Sequence, residues 1–308
     1  MTHYILGTDE AGYGPNLGPI VICCVAWEMT TGNAKGAQSV NEPLAELERR
    51  LGPIVADKPS QWEKNGKLLL IGDSKKLYQS GKLQVLANAV LKAIHLTGQK
   101  PEHLSEFLSQ IDYENPRLST ERVKESLDPL GISLRDIKAE MIFPRDFNQK
   151  LEQQGNKSTL LTETTLSLIK NTIQSLSENS DVTILCDKHG GRNRYADMLY
   201  QFFPSDGWVE TLTEGAAQSI YRLNSLGHRI EFRFQAKADR HIPAALASMT
   251  AKLLREMAML EFNQFWQQHL PNLQPTAGYP VDALRFFGQI EEIRQKLRIP
   301  KKDIWREK

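Results

Sequence analysis

Cysteine is scarce in this 308-residue chain: Cys23, Cys24 and Cys186 are all there is. Two are sequence neighbours and all three sit in apolar, strand-like runs. That excludes a disulfide scaffold and reads as buried, reduced thiols in a cytoplasmic protein. No Cys/His spacing matches a zinc site. Long apolar runs are also missing. The longest, Ile20 to Trp27, is far too short to span a bilayer, and the basic front and cleavage site of a secretory leader are absent, so no membrane role is expected. Nor does one sign of charge dominate: 38 Lys and Arg face 37 Asp and Glu. A nucleic-acid ligand survives that balance, because a local basic stripe suffices to hold one. Internal repeats and low-complexity tracts are absent.

What is present concentrates near the start. Thr8-Asp9-Glu10-Ala11-Gly12-Tyr13-Gly14-Pro15-Asn16-Leu17-Gly18-Pro19 follows the apolar Tyr4-Ile5-Leu6 and precedes the apolar run from Ile20. This predicts strand, tight Gly/Pro connection, strand, with a pair of acids at the first strand's end. An ordinary hairpin needs one or two glycines and no acid pair. Glycines permit close backbone approach to a ligand, and carboxylates hold hard cations through oxygen. Together they point to metal-dependent phosphate chemistry.

Further along, Leu44 to Leu51 predicts a helix and Lys67 to Ile71 a short strand. Leu83, Leu86, Val90 and Ile94 recur at helical spacing, as do Leu166, Ile169, Ile173 and Leu176. Ile137 to Phe143 and Val182 to Cys186 read as strands, the second ending at Asp187. Ile230, Phe232, Phe234 and Ala236 alternate with polar residues in a half-buried strand that runs to Asp239. Pro243 marks a helix start, and Ala244 to Phe262 is strongly helical. Mixed strands followed by strand–helix alternation favour an α/β fold. One domain over 1–308 is expected, with insertions at 28–66, 95–133 and 205–234 and a helical region near the C-terminus.

Acids therefore recur at the ends of three strands: Asp9 with Glu10, Asp187, and Asp239. Binding sites gather at such strand ends. Four carboxylates meeting there repel one another unless cations neutralise them. Two divalent metals held by the set activate a water and stabilise the leaving oxygen of a phosphodiester. A single acid is most often solvated or a cap, as Asp73 or Asp181 can be. Four at matching positions beside a glycine loop argue otherwise. Glu10 follows Asp9 directly, so both face one metal pair only if the strand breaks there, and the glycines supply that break.

These motifs resemble the type 2 ribonucleases H (ribonuclease HII). Asp9-Glu10-Ala11-Gly12-Tyr13-Gly14-Pro15 is similar to the family's Asp-Glu-Ala-Gly-Arg-Gly-Pro opening, and Asp73-Ser74-Lys75-Lys76-Leu77 to its Asp-Ser-Lys-Lys-Leu. Cys186-Asp187 falls where the family has its third acid. Lys237-Ala238-Asp239 with Ala244 to Lys252 resembles the fourth acid and the helix behind it, and Gly278-Tyr279-Pro280 the segment carrying a nucleotide-sensing tyrosine. The resemblance implies a ribonuclease H-like fold and a two-metal Mg²⁺ or Mn²⁺ endonuclease. It would cleave RNA paired with DNA and leave 3′-hydroxyl and 5′-phosphate ends. Asp9, Glu10, Asp187 and Asp239 would be both the metal ligands and the catalytic set. The family's loop carries a cation where this chain has Tyr13, which leaves open a related nuclease with a shifted substrate, or an inactive nucleic-acid-binding member.

The remaining expected nucleic-acid contacts are Gly12, Tyr13 and Gly14 of the loop, Lys75 and Lys76, and Lys188, Arg192 and Arg194 after Asp187. Ser248, Lys252 and Tyr279 complete them. Ser248, Lys252 and Arg255 share one helical face. His189 and His241 lie close to proposed acids and are read as proton shuttles or, more plainly, incidental polar residues. Tyr279 is placed to stack on a sugar or donate to a 2′-hydroxyl. The oligomeric state is not encoded in any pattern here.

Overall fold

The apolar runs on either side of the glycine loop become two long antiparallel strands, β1 (Thr2–Ala11) and β2 (Ile20–Thr30), paired from Thr2↔Thr30 to Ala11↔Val21. In the computed structural model, which describes residues 2–30, 42–64, 68–99, 117–204 and 207–307, this hairpin is the middle of a seven-stranded mixed sheet. Its remaining strands are β5 (Ile132–Ile142), β6 (Asp181–Cys186), β7 (Glu210–Glu214), β8 (Gln218–Ser225) and β9 (His228–Gln235), in the order β5-β2-β1-β6-β9-β8-β7. β6 runs parallel to β1, and β9 parallel to β6, while the outer pairings are antiparallel. The expected α/β architecture is what forms. Parallel neighbours bring the carboxyl ends of β1, β6 and β9 to one edge.

Helices cover both faces, as the continuous burial of β2 requires. One face, with Ile5, Val21, Cys23, Val25 and Trp27, packs on α1 (Glu42–Leu51), α3 (Ser74–Leu96) and α8 (Ile242–His269). The other, with Tyr4, Leu6, Ile22 and Cys24, packs on α5 (Pro144–Gln154), α6 (Lys157–Ile173) and α7 (Ala196–Phe202). A third cluster joins Leu17, Trp266, Phe286 and Ile304, seating α9 (Pro280–Lys296) and the end of the chain beneath the glycine loop. Two short helices, α2 (Pro59–Lys64) and α4 (Arg117–Leu127), complete the set, and a separate two-stranded sheet pairs β3 (Val55–Ala56) with β4 (Leu69–Leu70).

Several expectations shift. β5 begins at Ile132, five residues before the predicted start, because its first half pairs with Ala26 to Met29 across a bulge. The Lys67–Ile71 strand shrinks to Leu69–Leu70, and Lys67 lies outside the described residues. So do parts of the three expected insertions, at 31–41, 65–66, 100–116 and 205–206. Within the third, β9 pairs with β6 and belongs to the central sheet. The three cysteines are free and buried. Among the described residues no helix is long and apolar enough to cross a membrane.

Candidate active site

β1 and β6 are in register at Thr8↔Cys186, so Asp9 and Asp187 follow one step on at adjacent strand ends. Gly7 fixes this corner. A Cβ there would overlap the backbone of Pro243 and Ala244, so its absence lets β1 lie directly against the first turn of α8. That contact brings Ser248 of α8 to Asp9, whose carboxylate accepts its hydroxyl proton, and to Ser74 of α3, 3.0 Å away between hydroxyls.

β1 does not break after Glu10. It continues through Ala11, with Glu10 still opposite Ile22. Alternation therefore starts Asp9 on the α3/α8 face and Glu10 on the opposite face. The carboxylates still feel one another. Burial raises Asp9 to about 7, and Asp187 and Asp239 push the same way against the Ser248 hydrogen bond. Burial raises Glu10 to about 8, with Asp9 and Asp187 adding repulsion and Lys75 opposing it. Asp187 is raised by burial and by Asp239, against hydrogen bonds from neighbouring amides. Among the described residues no Lys, Arg or His forms an ion pair with any of these four acids. Nor do three or more His, Cys, Asp or Glu side chains close tightly enough there to grip an ion. The set is a collection of mutually repelling carboxylates at one edge rather than a closed cage.

Asp187 also organises the next acid. Its Oδ1 accepts from the amides of Lys188 (2.9 Å) and Lys237 (3.0 Å), so β6 is tied to the turn after β9. Lys237 sits there at φ 61°, a conformation that costs a non-glycine residue and that these bonds hold. The turn then carries the exposed Asp239.

The loop between β1 and β2 is exposed only at its tip. Gly12 and Tyr13 are half-buried and Gly14 is open, while Pro15 to Pro19 are buried. Gly12 (φ +91°) and Gly18 (φ +76°) need left-handed backbone, and a Cβ at either would strike Arg255 or Met259. Tyr13 leans on the α6 side, its hydroxyl 3.0 Å from where a Cβ on Gly190 would stand.

Two arginines hold this loop from below. Arg255 of α8 donates to the carbonyls of Pro19, Leu17 (3.4 Å) and Ala277 (2.9 Å). Arg306 donates to those of Gly12 (2.6 Å) and Pro15. Burial lowers both, Arg306 to about 9 with Arg255 adding to the shift. Arg255 was expected on an open face with Ser248 and Lys252. That face is covered: Ser248 and Arg255 are buried, and Lys252 is engaged by Glu256 and the Tyr78 ring. Arg306 has no sequence signal at all, since its loop contacts span 291 and 294 positions.

The other expected contacts divide. Lys75 and Lys76 are exposed in the first turn of α3, capped by Asp73. Tyr279, 56% exposed, precedes α9 beside the loop. Lys188 turns inward to Asn193, Gly215 and Ser219, and burial lowers its pKa. Arg192 reaches Thr159 at 3.1 Å, and Arg194 lies exposed, 3.7 Å from Glu214. His189 is a buried core residue bonded to Thr162, and burial drops it to about 3, which removes it as a shuttle near neutral pH. His241 bonds Glu48 at the start of α8. Asp181 is paired with Arg229 at the far end of β6.

No family model matches the sequence, and no curated protein is similar to it. Among solved structures, the chain is similar to the ribonuclease H2 from Pyrococcus horikoshii OT3, at 16% identity and TM-score 0.46, over 98% of this chain and 92% of that one. It is similar to a structure of the PCNA:RNase HII complex from Archaeoglobus fulgidus, at 16% identity and TM-score 0.43, over 97% and 92%. It is also similar to Bst-RNase HIII in complex with Mn²⁺, at 12% identity and TM-score 0.41, over 98% and 65%.

Proposed function

We propose that this chain is a nuclease of the ribonuclease H kind, a metal-dependent endonuclease that hydrolyses the RNA strand of RNA/DNA hybrids. The observation that carries the reading is Asp9 and Asp187 at adjacent parallel strand ends, with Glu10 and Asp239 close enough to shift or share their charge and, among the described residues, no Lys, Arg or His in an ion pair with any of them. Burial and mutual repulsion disfavour ionised carboxylates, and a bound cation removes that penalty. The donors are all hard oxygens, which fits Mg²⁺ or Mn²⁺ rather than a soft-ligand metal. Asp9, Glu10, Asp187 and Asp239 would hold two such ions, which when bound lower the pKa of a water and stabilise the leaving oxygen.

The chain's own groups do the rest. Ser248 orients the Asp9 carboxylate, and Asp187 sets the turn that carries Asp239. Exposed Lys75 and Lys76 meet backbone phosphates, and Gly12 and Gly14 offer amides at close range. Tyr279 faces the ribose edge. Lys188 turns its ammonium inward to Asn193, Gly215 and Ser219, whereas Arg192 gives one bond, to Thr159, and leaves its Nε without a partner among the described residues.

A second reading keeps the chemistry and moves the substrate. Tyr13 is a neutral ring at the loop tip, and it cannot supply the fixed charge of an arginine near a scissile phosphate. Continuous hybrid, with many 2′-hydroxyls and an altered groove, should then be cut better than DNA holding one ribonucleotide. The test is cleavage of a labelled panel (hybrid, single ribonucleotide in DNA, single-stranded and branched DNA) by wild type and Tyr13→Arg. Activity should vanish in EDTA, return with Mg²⁺ or Mn²⁺, and favour hybrid; Tyr13→Arg should gain most on the single ribonucleotide. Cleavage of branched DNA alone would install the second reading, and activity restored only by Zn²⁺ would sink the carboxylate-metal assignment.

A further inference from the structure

Arg306 is an arginine in an unusual setting. Its exposure is 0%, and among the described residues its Nε and Nη1 have no hydrogen-bond partner and no carboxylate pairs with it. An uncompensated buried guanidinium is costly and persists only where it does something for the fold or for a ligand. What it does is local and specific. Nη2 binds the Gly12 and Pro15 carbonyls, its amide donates to Asn16 O at 2.7 Å, and Asn16 Nδ2 returns a bond to its carbonyl at 3.2 Å. Trp305 bridges Leu17 beside it, and the guanidinium stacks 5.0 Å from the Phe147 ring. Asn148 holds the segment from the other side through the carbonyls of Lys302 and Trp305 and the amide of Glu307.

The carbonyls on the inner side of the loop are thus anchored, Gly12 and Pro15 by Arg306 and Leu17 and Pro19 by Arg255. In the Gly12–Tyr13 peptide group the oxygen is fixed inward and the Tyr13 N–H therefore points the other way, and a cation on that oxygen strengthens the N–H as a donor to an anion; the N–H paired with the Pro15 carbonyl, that of Asn16, is bonded to Gly278 O. At the tip, the amides of Tyr13 and Gly14 have no acceptor among the described residues. They stand beside the carboxylate edge, where a phosphodiester must lie for the reaction proposed above.

We infer that Arg306 is a positioning residue for substrate phosphate: it clamps the glycine loop from beneath at the Gly12 and Pro15 carbonyls, so that the Tyr13 amide, the other half of the Gly12 peptide group, is set for a nucleic-acid phosphate oxygen, with Gly14 held between the two anchored carbonyls. The inference rests on the nuclease reading for the identity of the anion. It gives the loop a cation from a distant segment, where the sequence has none at its tip. The charge acts through the peptide groups, since a fully buried guanidinium does not reach solvent.

The test is Arg306→Lys in the full-length protein, because a lysine keeps the charge while its shorter stem withdraws the donor that Nη2 sets between the Gly12 and Pro15 carbonyls. Hydrogen exchange reads the clamp directly: peptides covering 12–18 should exchange about tenfold faster, with β6 peptides unchanged. On labelled hybrid in Mg²⁺, KM should rise about tenfold while kcat stays within about threefold, the mark of lost binding rather than lost chemistry. The rise in melting temperature on adding Mg²⁺ should be unaltered, because the four acids are untouched. If Arg306→Lys fails to fold, Asn148→Ala, which frees the segment without altering the guanidinium, takes its place with the same expected pattern. Unchanged exchange at 12–18, or faster exchange with KM unmoved, overturns the inference while wild-type cleavage keeps the nuclease reading. A wild type that binds hybrid without cutting it, and loses that affinity on Arg306→Lys, would reject the nuclease reading and keep the clamp; a wild type that does neither rejects both.

Discussion

At Asp187 one side chain has two separable jobs. Its Oδ1 takes the amides of Lys188 and Lys237, which is structural, and its charge acts on Asp9 and Asp239, which is the part the proposed chemistry would use. Asparagine keeps Oδ1 as an acceptor and removes the charge. Asp187→Asn should therefore hold stability within about 0.5 kcal/mol, as substitutions that leave hydrogen bonds in place do. Cleavage should fall below detection, because a hard cation loses an anionic oxygen. Asp187→Ala removes the acceptor as well and should cost about 1–3 kcal/mol, the usual penalty for leaving donors unmade. Denaturant melts and a hybrid-cleavage assay on both variants separate the roles. Near-wild-type activity in Asp187→Asn would strip the residue of its chemical part.

The contact of β1 with α8 is the element-scale feature on which the site depends. Alanine at Gly7 would place a methyl group inside the backbone of Pro243 and Ala244, which no side-chain adjustment relieves. Gly7→Ala should destabilise by about 2–4 kcal/mol, as overpacking against main chain does. It should also cut activity in the fraction that stays folded, because Asp9 and Ser248 are aligned by the same contact. A melt within experimental error of wild type would show that β1 and α8 do not meet this closely. The elements themselves were largely legible where periodicity was strong: the hairpin at Tyr4 to Trp27, the strand into Asp187, the alternation of Ile230 to Phe234, and the helices that became α3, α6 and α8. Periodicity tells which residues share a face but not what meets it. That is why Ser248, Lys252 and Arg255 read as one open surface and proved to be enclosed by β1, α3 and the segment before α9. β5 was read short because Ser133, Arg135 and Asp136 dilute the apolar pattern of its first half. The strand break expected after Glu10 does not form, because β1 stays paired with β2 through Ala11. Arg306 was invisible because its partners are almost the whole chain away.

Across the whole molecule, partly buried acids and partly or fully buried histidines set opposing limits on stability. Asp9 and Glu10 are raised from 3.8 and 4.5 to about 7 and about 8, so folding favours their protonated forms. Their contribution is complete below the unfolded values and is lost as pH rises through 7 to 8. His3 and His189 are lowered by burial from 6.5 to about 4 and about 3, so folding favours their neutral forms, and that contribution is lost as pH falls below 6.5. Between about pH 4.5 and 6.5 the two pairs offset each other, and stability should be nearly flat. Above 6.5 only the acids still titrate, and at about 1.4 kcal/mol per proton per pH unit the metal-free protein should lose about 2 kcal/mol by pH 8.5. A divalent cation on those carboxylates takes the place of the protons, so saturating Mg²⁺ should abolish the alkaline decline and stabilise most at high pH. The measurement is unfolding free energy from pH 4 to 9, in EDTA and in Mg²⁺, for wild type and Glu10→Gln. Glu10→Gln should flatten the EDTA curve between 6.5 and 8. A curve that instead rises through that interval in EDTA would mean that Asp9 and Glu10 are stabilised as anions by the fold itself, and the case for a cation site at this edge would go with it.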